Sequence, residues 1–557
     1  MTNPIASIGR PTSRQLLARV LDEPGLAAQI QALDPPVLAR LIDRVGLEDA
    51  GEIVALATTE QLTRVFDEDL WQSDRAGEDE RFDADRFLVW LEVMLEAGAS
   101  FVAHKLVELP EDLVTLAFHK HVLVLTTDSL QAALQDEDSG TATEKAFESC
   151  LYEELDDYHV ISRRIDGWDS VLDALLALDR EHHDFLQRLL RRCCRMSAEH
   201  IDDNGGLYDV LTSEEMLEGD VAGEREERRA EAGHVAPSTA ASFLKLARAG
   251  GATPATTRDP VTRAYLRDLS AETSRGRPAE PRVAKAAGEG GLLRALRESG
   301  IATPAAPPPL LGAGASAGAE GAEGATLFSD AMAALRQDAP RVFAERSEEL
   351  AYLANVLAAG CSFERRRFRP IEAIRAALST CNLGLEIAVA PARRERRGDL
   401  HARAAEALAA HPADALFRAA WSQIHRDVIS AAASVAVALL RGAAEAAGSV
   451  DGKALARAAS RVQTATEKGE PWIAIGSLDA AEGLVDASTL DVVRSLMGEC
   501  PCLNADAVGG RPPREDATRF IATLADVAEA RDLLSRAQRS ATRSDGDAPA
   551  PRPRRRR

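Results

Sequence analysis

Across residues 33–70 apolar side chains recur at spacings of three and four, in three separate stretches rather than one. Val37, Leu38, Leu41, Ile42 and Val45 make a first stripe. Ala50, Ile53, Val54 and Ala57 make a second, and Leu62, Val65, Phe66 and Leu70 a third. Capping signals punctuate them. Asp34 before Pro35 offers an N-cap side chain and then the residue that best tolerates the first helical position. Gly46 closes the first helix, and Thr58 with Gln61 stands at capping-box spacing to open the third. Helices this short are marginal alone and must bury their apolar faces on neighbours. The pattern predicts a superhelical array of stacked short hairpins over residues 15–129, an architecture that offers continuous binding surfaces.

A second section, residues 130–249, predicts one long helix over 168–194, with Val171, Leu172, Leu175, Leu178, Phe185, Leu186, Leu189 and Leu190 facing a core. Alternation at Val122-Leu123-Val124-Leu125 and at Tyr158-His159-Val160-Ile161 predicts a minor β ribbon. From 250 to 326 the period lapses into Pro, Ala and Gly, which reads as a linker, with one short helix near Leu292 as its exception. Helical spacing resumes over 327–541, most clearly at Trp421, Ile424, Val428, Ala432, Val435 and Leu439. The end, 542–557, reads as a disordered basic tail. The fold class expected is therefore all-α, an amino-terminal array plus a second helical lobe.

Composition agrees, because aromatic residues make up only 4% of the 557 residues and Ala, Leu and Arg dominate. Charge adds an asymmetry. Residues 1–232 hold 22 Lys+Arg and 50 Asp+Glu, a balance of -28, which leaves +6 of the total -22 for the rest. Such acidity argues against generic binding to nucleic acid or to anionic membranes. The apolar run over 429–440 is short for a bilayer, so no membrane insertion and a cytoplasmic location are expected. Seven cysteines, paired closely only as Cys193-Cys194 and Cys500-Pro-Cys502, read as reduced thiols without zinc-knuckle spacing.

Three stretches, EAGHVAPSTAASFLKLAR at 231–248, EELAYLANVLAAG at 348–360 and IEAIRAALSTCNLGLE at 371–386, resemble a bacterial family known as domain of unknown function 6178. That resemblance implies no activity and transfers no catalytic residue. Separately, the array, with Leu109-Pro110-Glu111-Asp112-Leu113 as a later unit, resembles the helical cytoplasmic domain of bacterial magnesium transporters and the related flagellar motor switch proteins. What this implies is a superhelical fold, not transport.

Candidate chemistry is sparse. His183-Asp184, with His159 upstream, is the pattern of a metal-dependent phosphohydrolase, in which imidazole and carboxylate hold an ion that lowers the pKa of a water nucleophile. Placed on the polar side of a helix rich in acids, these residues are read instead as solvated, with no metal and no cofactor. His119 and His121 are read as a surface pair. Arg365, Arg366, Arg367 and Arg369 could hold phosphate, and with Arg393, Arg394, Arg396 and Arg397 would suit a nucleic-acid-associated factor. No aromatic residues interleave with them, so solvated turns are preferred. No small-molecule substrate is indicated. The expectation is a non-enzymatic scaffold or regulatory adaptor that contacts proteins, with Glu68 and Asp69 on the rim of its contact surface.

Overall fold

The computed structural model describes residues 12–73, 75–135, 150–202, 213–231, 233–251, 292, 295–296, 326–363, 366–390, 397–447, 449–504 and 518–543. Most of the 250–326 segment, Arg365 and the tail beyond 543 thus lie outside the described residues. The chain forms two compact units. The first comprises Met1–Ser73, Glu80–Ala232 and Arg282–Ala306, and the second comprises Asp74–Asp79, Gly233–Pro281 and Pro307–Arg557.

In the first unit α1 (Ser13–Leu21), α2 (Leu26–Gln31), α3 (Pro35–Val45), α4 (Gly51–Leu56) and α5 (Thr59–Asp69) follow one another closely. A ribbon of β1 (Trp71–Gln72) and β2 (Arg81–Phe82) leads into α6 (Ala84–Glu96), α7 (Ala99–Glu108) and α8 (Glu111–His121). Then come β3 (Val122–Thr126), α9 (Thr127–Gln135), β4 (Tyr152–Leu155), β5 (Tyr158–Ser162), α10 (Trp168–Glu181), α11 (His183–Asp202) and α12 (Ser213–Glu231). Alternate helices pack together, α1 on α3, α3 on α5, α2 on α4 and α4 on α6. This is the contact order of a stacked array, and every stripe residue at 38, 41, 42, 45, 53, 54, 62, 65 and 66 is buried. Thr58 and Gln61 close the expected capping box. Gln61 also donates through Nε2 to the carbonyls of Ile30, at 2.9 Å, and Leu33, at 2.7 Å, so one buried amide ties α5 to the end of α2. Gly46 ends α3 at φ 104°, where a Cβ would be strained. Asp34 occupies the N-cap of α3, but its side chain makes no capping hydrogen bond, and the proline at N1 does the starting.

Two other expectations change. The β ribbon pairs as read, Val124 opposite Val160, and gains β4 as a third antiparallel strand in the order β3-β5-β4. The long helix is two helices. His182 leaves helical geometry at φ −139°, ψ 48°, its N–H closes α10 on the Leu178 carbonyl, and α11 restarts at His183. The apolar stripe runs through the break almost in phase, so periodicity alone gave no sign of it.

The second unit begins with α13 (Pro237–Ala249). Next come α14 (Leu327–Asp338), α15 (Pro340–Gly360), the strand pair β6 (Ser362–Phe363) and β7 (Arg366–Arg367), α16 (Pro370–Ala388), α17 (Arg397–Ala410) and α18 (Ala413–Ile424). A π turn, His425–Ile429, joins α18 to α19 (Ser430–Ala446). After it come α20 (Ser449–Glu467), a 3₁₀ segment (Pro471–Ala481), α21 (Ala487–Met497), the pair β8 (Cys502–Asn504) and β9 (Thr518–Phe520), and α22 (Leu524–Arg543). The run read as 12 apolar residues is thus part of a 34-residue helical stretch, Ala413–Ala446, long and apolar enough to cross a membrane by length and composition. Half of its most apolar window is buried inside the protein, where Ile424, Val428, Ala432, Val435 and Leu439 centre one core cluster. α16 and α18 approach closely at Gly384, where a Cβ would come within 2.0 Å of the Leu416 carbonyl oxygen.

Candidate functional site

The α10–α11 break gathers six ionisable side chains from the turn and its neighbours. On one side, Ser100 and His104 stand one turn apart on α7 and face the end of α10. Ser100 Oγ donates to the Glu181 carboxylate, and His104 Nδ1 lies 3.3 Å from His182 Nε2. One donor atom from each of His104, Glu181 and His182 falls within 4.8 Å of the others. On the other side, His183 joins Asp179 and Asp156. Its Nδ1 is 3.0 Å from Asp179 and its Nε2 3.4 Å from Asp156, so both ring nitrogens face carboxylates. The hydrogen bond to Asp179, aided by the nearby carboxylates, raises the His183 pKa. The arrangement suits an imidazolium held between a helix and the β4–β5 turn, in which Asp156 adopts φ 53°.

The phosphohydrolase pattern is therefore divided. His183 is paired with Asp179 and Asp156, His159 lies on β5 with Nδ1 3.6 Å from Glu154, and Asp184 is an exposed residue of the first turn of α11. His104 and Glu181 went unnoticed in the sequence, since 78 residues separate His104 from its histidine neighbour and no local spacing links them.

His119 and His121 are buried on α8, not paired at the surface. His119 Nε2 meets Glu214 at 3.3 Å and His121 Nε2 meets the Ala84 carbonyl at 2.9 Å. The hydrogen bond from His119, reinforced by Lys120, pulls the Glu214 pKa down to about 2. Both histidines lie in the last turn of α8, before β3 begins.

The acids expected on a contact rim are engaged inside the first unit. Asp67 takes a two-pronged contact from Arg228, at 2.9 and 2.7 Å, and Glu68 pairs with Arg229 at 3.1 Å. Asp69 accepts from Arg86, at 2.7 and 3.2 Å, and from the Trp90 indole N–H at 2.6 Å. Glu80 pairs with Arg225 at 2.5 Å, both side chains almost fully buried, with the guanidinium 4.8 Å from the Trp71 ring centroid. Helix α12 thereby clamps α5 and the β1–β2 ribbon.

In the second unit Arg366 makes a two-pronged ion pair with Glu372, both contacts 2.7 Å, and lies 5.4 Å from the Phe363 ring centroid. That pair lowers the Glu372 pKa. Arg369 is the N-cap residue of α16, and Arg367 is exposed on β7. Arg365, Arg393, Arg394 and Arg396 lie outside the described residues, as does the Arg397 side chain. Nearby, Glu499 accepts from the Ser362 N–H at 3.0 Å and from its hydroxyl at 3.4 Å. The residue keeps some exposure, yet its carboxylate is desolvated, and burial raises its pKa to about 7. Burial likewise pushes the thiols of Cys361 and Cys500 well up, as befits structural cysteines.

Residues 5–200 match the family of unknown function DUF6178. The chain carries a DUF6178 region. This region holds the array, the sheet and both histidine groups at the helix break, whereas the three stretches that suggested the family lie beyond it. No curated protein and no solved structure matches the chain, and the likeness to magnesium transporters is not confirmed.

Proposed function

We propose that the chain works by protein–protein contact, as a helical scaffold or regulatory adaptor, with the α1–α5 array as its contact surface. The observation that supports this reading is the alternate stacking of α1, α3 and α5 and of α2 and α4. Stacking of this kind buries one side of each short helix and aligns the remaining sides into one continuous face. Because Asp67, Asp69 and Glu80 are engaged within the fold, the acidic part of that face shifts to Glu48, Asp49 and Glu52, which are exposed where α4 begins. A basic or amphipathic partner surface is the complement. Charge reversal at these three residues should slow association more than it speeds dissociation, as rim electrostatics do.

The test is to capture partners on the full chain from its native host and repeat the capture with the Glu48→Lys, Asp49→Lys, Glu52→Lys form, with helicity checked by circular dichroism. Loss of partners, or slower association, is the expected result. Partners held at unchanged rates would move the surface elsewhere, and recovery of the chain without a stoichiometric partner would overturn the reading.

A further inference from the structure

We infer that His104, Glu181 and His182 form a binding site for a divalent transition-metal ion of the Zn²⁺ class. Zinc binds imidazole nitrogen at about 2.0–2.1 Å in tetrahedral geometry, so two such ligands lie roughly 3.3–3.4 Å apart. His104 Nδ1 and His182 Nε2 are 3.3 Å apart already, which is long for a hydrogen bond between ring nitrogens and suits a shared ion. The rings are inclined at 63° with centroids 5.1 Å apart, so they meet through their nitrogen edges and not by stacking. A carboxylate oxygen of Glu181 completes the group within 4.8 Å. Two imidazoles and one carboxylate are a donor set that borderline metals favour over Mg²⁺ or Ca²⁺.

The surroundings favour a cation independently of that spacing. Glu181 ends a 14-residue helix and His182 is its C-cap, so the ion would sit at the negative end of the α10 dipole. Ser100 Oγ holds the Glu181 carboxylate from α7, the outer contact that orients a ligating group. The helix break acquires a purpose on this reading. A continuous helix would carry His182 onward with the turn, whereas its departure from helical geometry leaves the imidazole against His104. His104 and Glu181 are exposed, so a fourth coordination position opens to solvent. The neighbouring His183 is different. Its Nδ1 and Nε2 each already pair with a carboxylate, Asp179 and Asp156.

The experiment uses the full chain, stripped with chelator, and Zn²⁺ alone as the probe. Calorimetry at neutral pH should give one ion per chain, and Co²⁺ substitution should give the visible absorption of a four-coordinate site. His104→Ala and His182→Ala should each weaken binding by about 10–100-fold or more, since even outer-shell changes at metal sites cost that much. Glu181→Gln should weaken it as well, with the shape of the side chain kept, and His183→Ala should leave it unchanged. Saturating Zn²⁺ should raise the melting temperature of the parent chain and not that of the His104→Ala form, a second readout that also reports folding. Zn²⁺ bound with unchanged affinity in both histidine variants, or no stoichiometric binding at all, would overturn the assignment. So would a signal lost on changing the exposed Cys150 to Ser and retained in His104→Ala.

Discussion

At the scale of single residues, the charges with the largest consequences are those the fold hides. Arg225 and Glu80 bury a charge pair in which Arg225 also donates to the Asp67 carbonyl at 2.5 Å. Glu80→Gln takes the buried carboxylate from Arg225 and Arg229 and leaves Arg225 only the more exposed Glu226, at 3.2 Å, so it should cost about 1–3 kcal/mol or more in a denaturant titration. A loss below ~1 kcal/mol would mean that water reaches the pair. Glu499 makes the opposite kind of statement. Burial raises its pKa from 4.5 to about 7, so between those values the folded state holds a proton that the unfolded state has lost. Stability must then fall as pH rises from 4.5 to 7 and level off above, by about 3 kcal/mol in all. Glu499→Gln keeps an acceptor for Ser362 and cannot ionise, so its melting temperature should lose that part of the pH dependence. An identical pH profile in the variant would show that Glu499 ionises as easily in the fold as outside it. Glu214, pulled down to about 2 by His119 and Lys120, acts in reverse. Its stabilisation is complete above 4.5 and disappears as pH falls towards 2.

At the scale of elements, ends and close approaches decide more than propensity. Thr58 accepts from the Gln61 N–H, and the Gln61 side chain accepts from the Thr58 N–H at 2.9 Å, so Thr58→Ala should cost about 1 kcal/mol by chemical denaturation. Gly384 tests packing instead of capping. Helix α16 cannot accept a methyl group against the Leu416 carbonyl without moving from α18, so Gly384→Ala should destabilise by about 1–3 kcal/mol or more, despite alanine's better helix propensity. A stabilised variant would show that α16 and α18 are free to part. The elements themselves were largely legible: α3 spans the stripe 35–45, α5 follows its capping box, and β3 pairs with β5. The break at His182 was not, because the residue carries no glycine or proline signal and its ring neighbour, His104, is 78 residues away on α7.

At the scale of the whole molecule, chain order and spatial order part company. Leu292 and Leu296, from a segment that composition marks as linker, are fully buried in the core cluster of the first unit, and the Leu292 N–H donates to Gln29 at 3.1 Å. Leu296→Ala should therefore cost about 2–5 kcal/mol and speed hydrogen exchange in α2, although more than 260 residues separate Leu292 from Gln29. Unchanged exchange there would detach the segment from that core. What the sequence determined by itself is what a few adjacent residues can enforce: helix starts at Thr58, the stop at Gly46, the stripes, and the all-α class. The caps act within about one turn, and the stripes mark which face of each helix is buried without saying against what. Only the tertiary structure decided that His104 meets His182, that Arg225 meets Glu80, that His119 is buried on Glu214, and that α12 spends the acids of α5. Each of these depends on which distant surfaces pack, and packing is chosen by the shape and burial of the whole core, which no local spacing records.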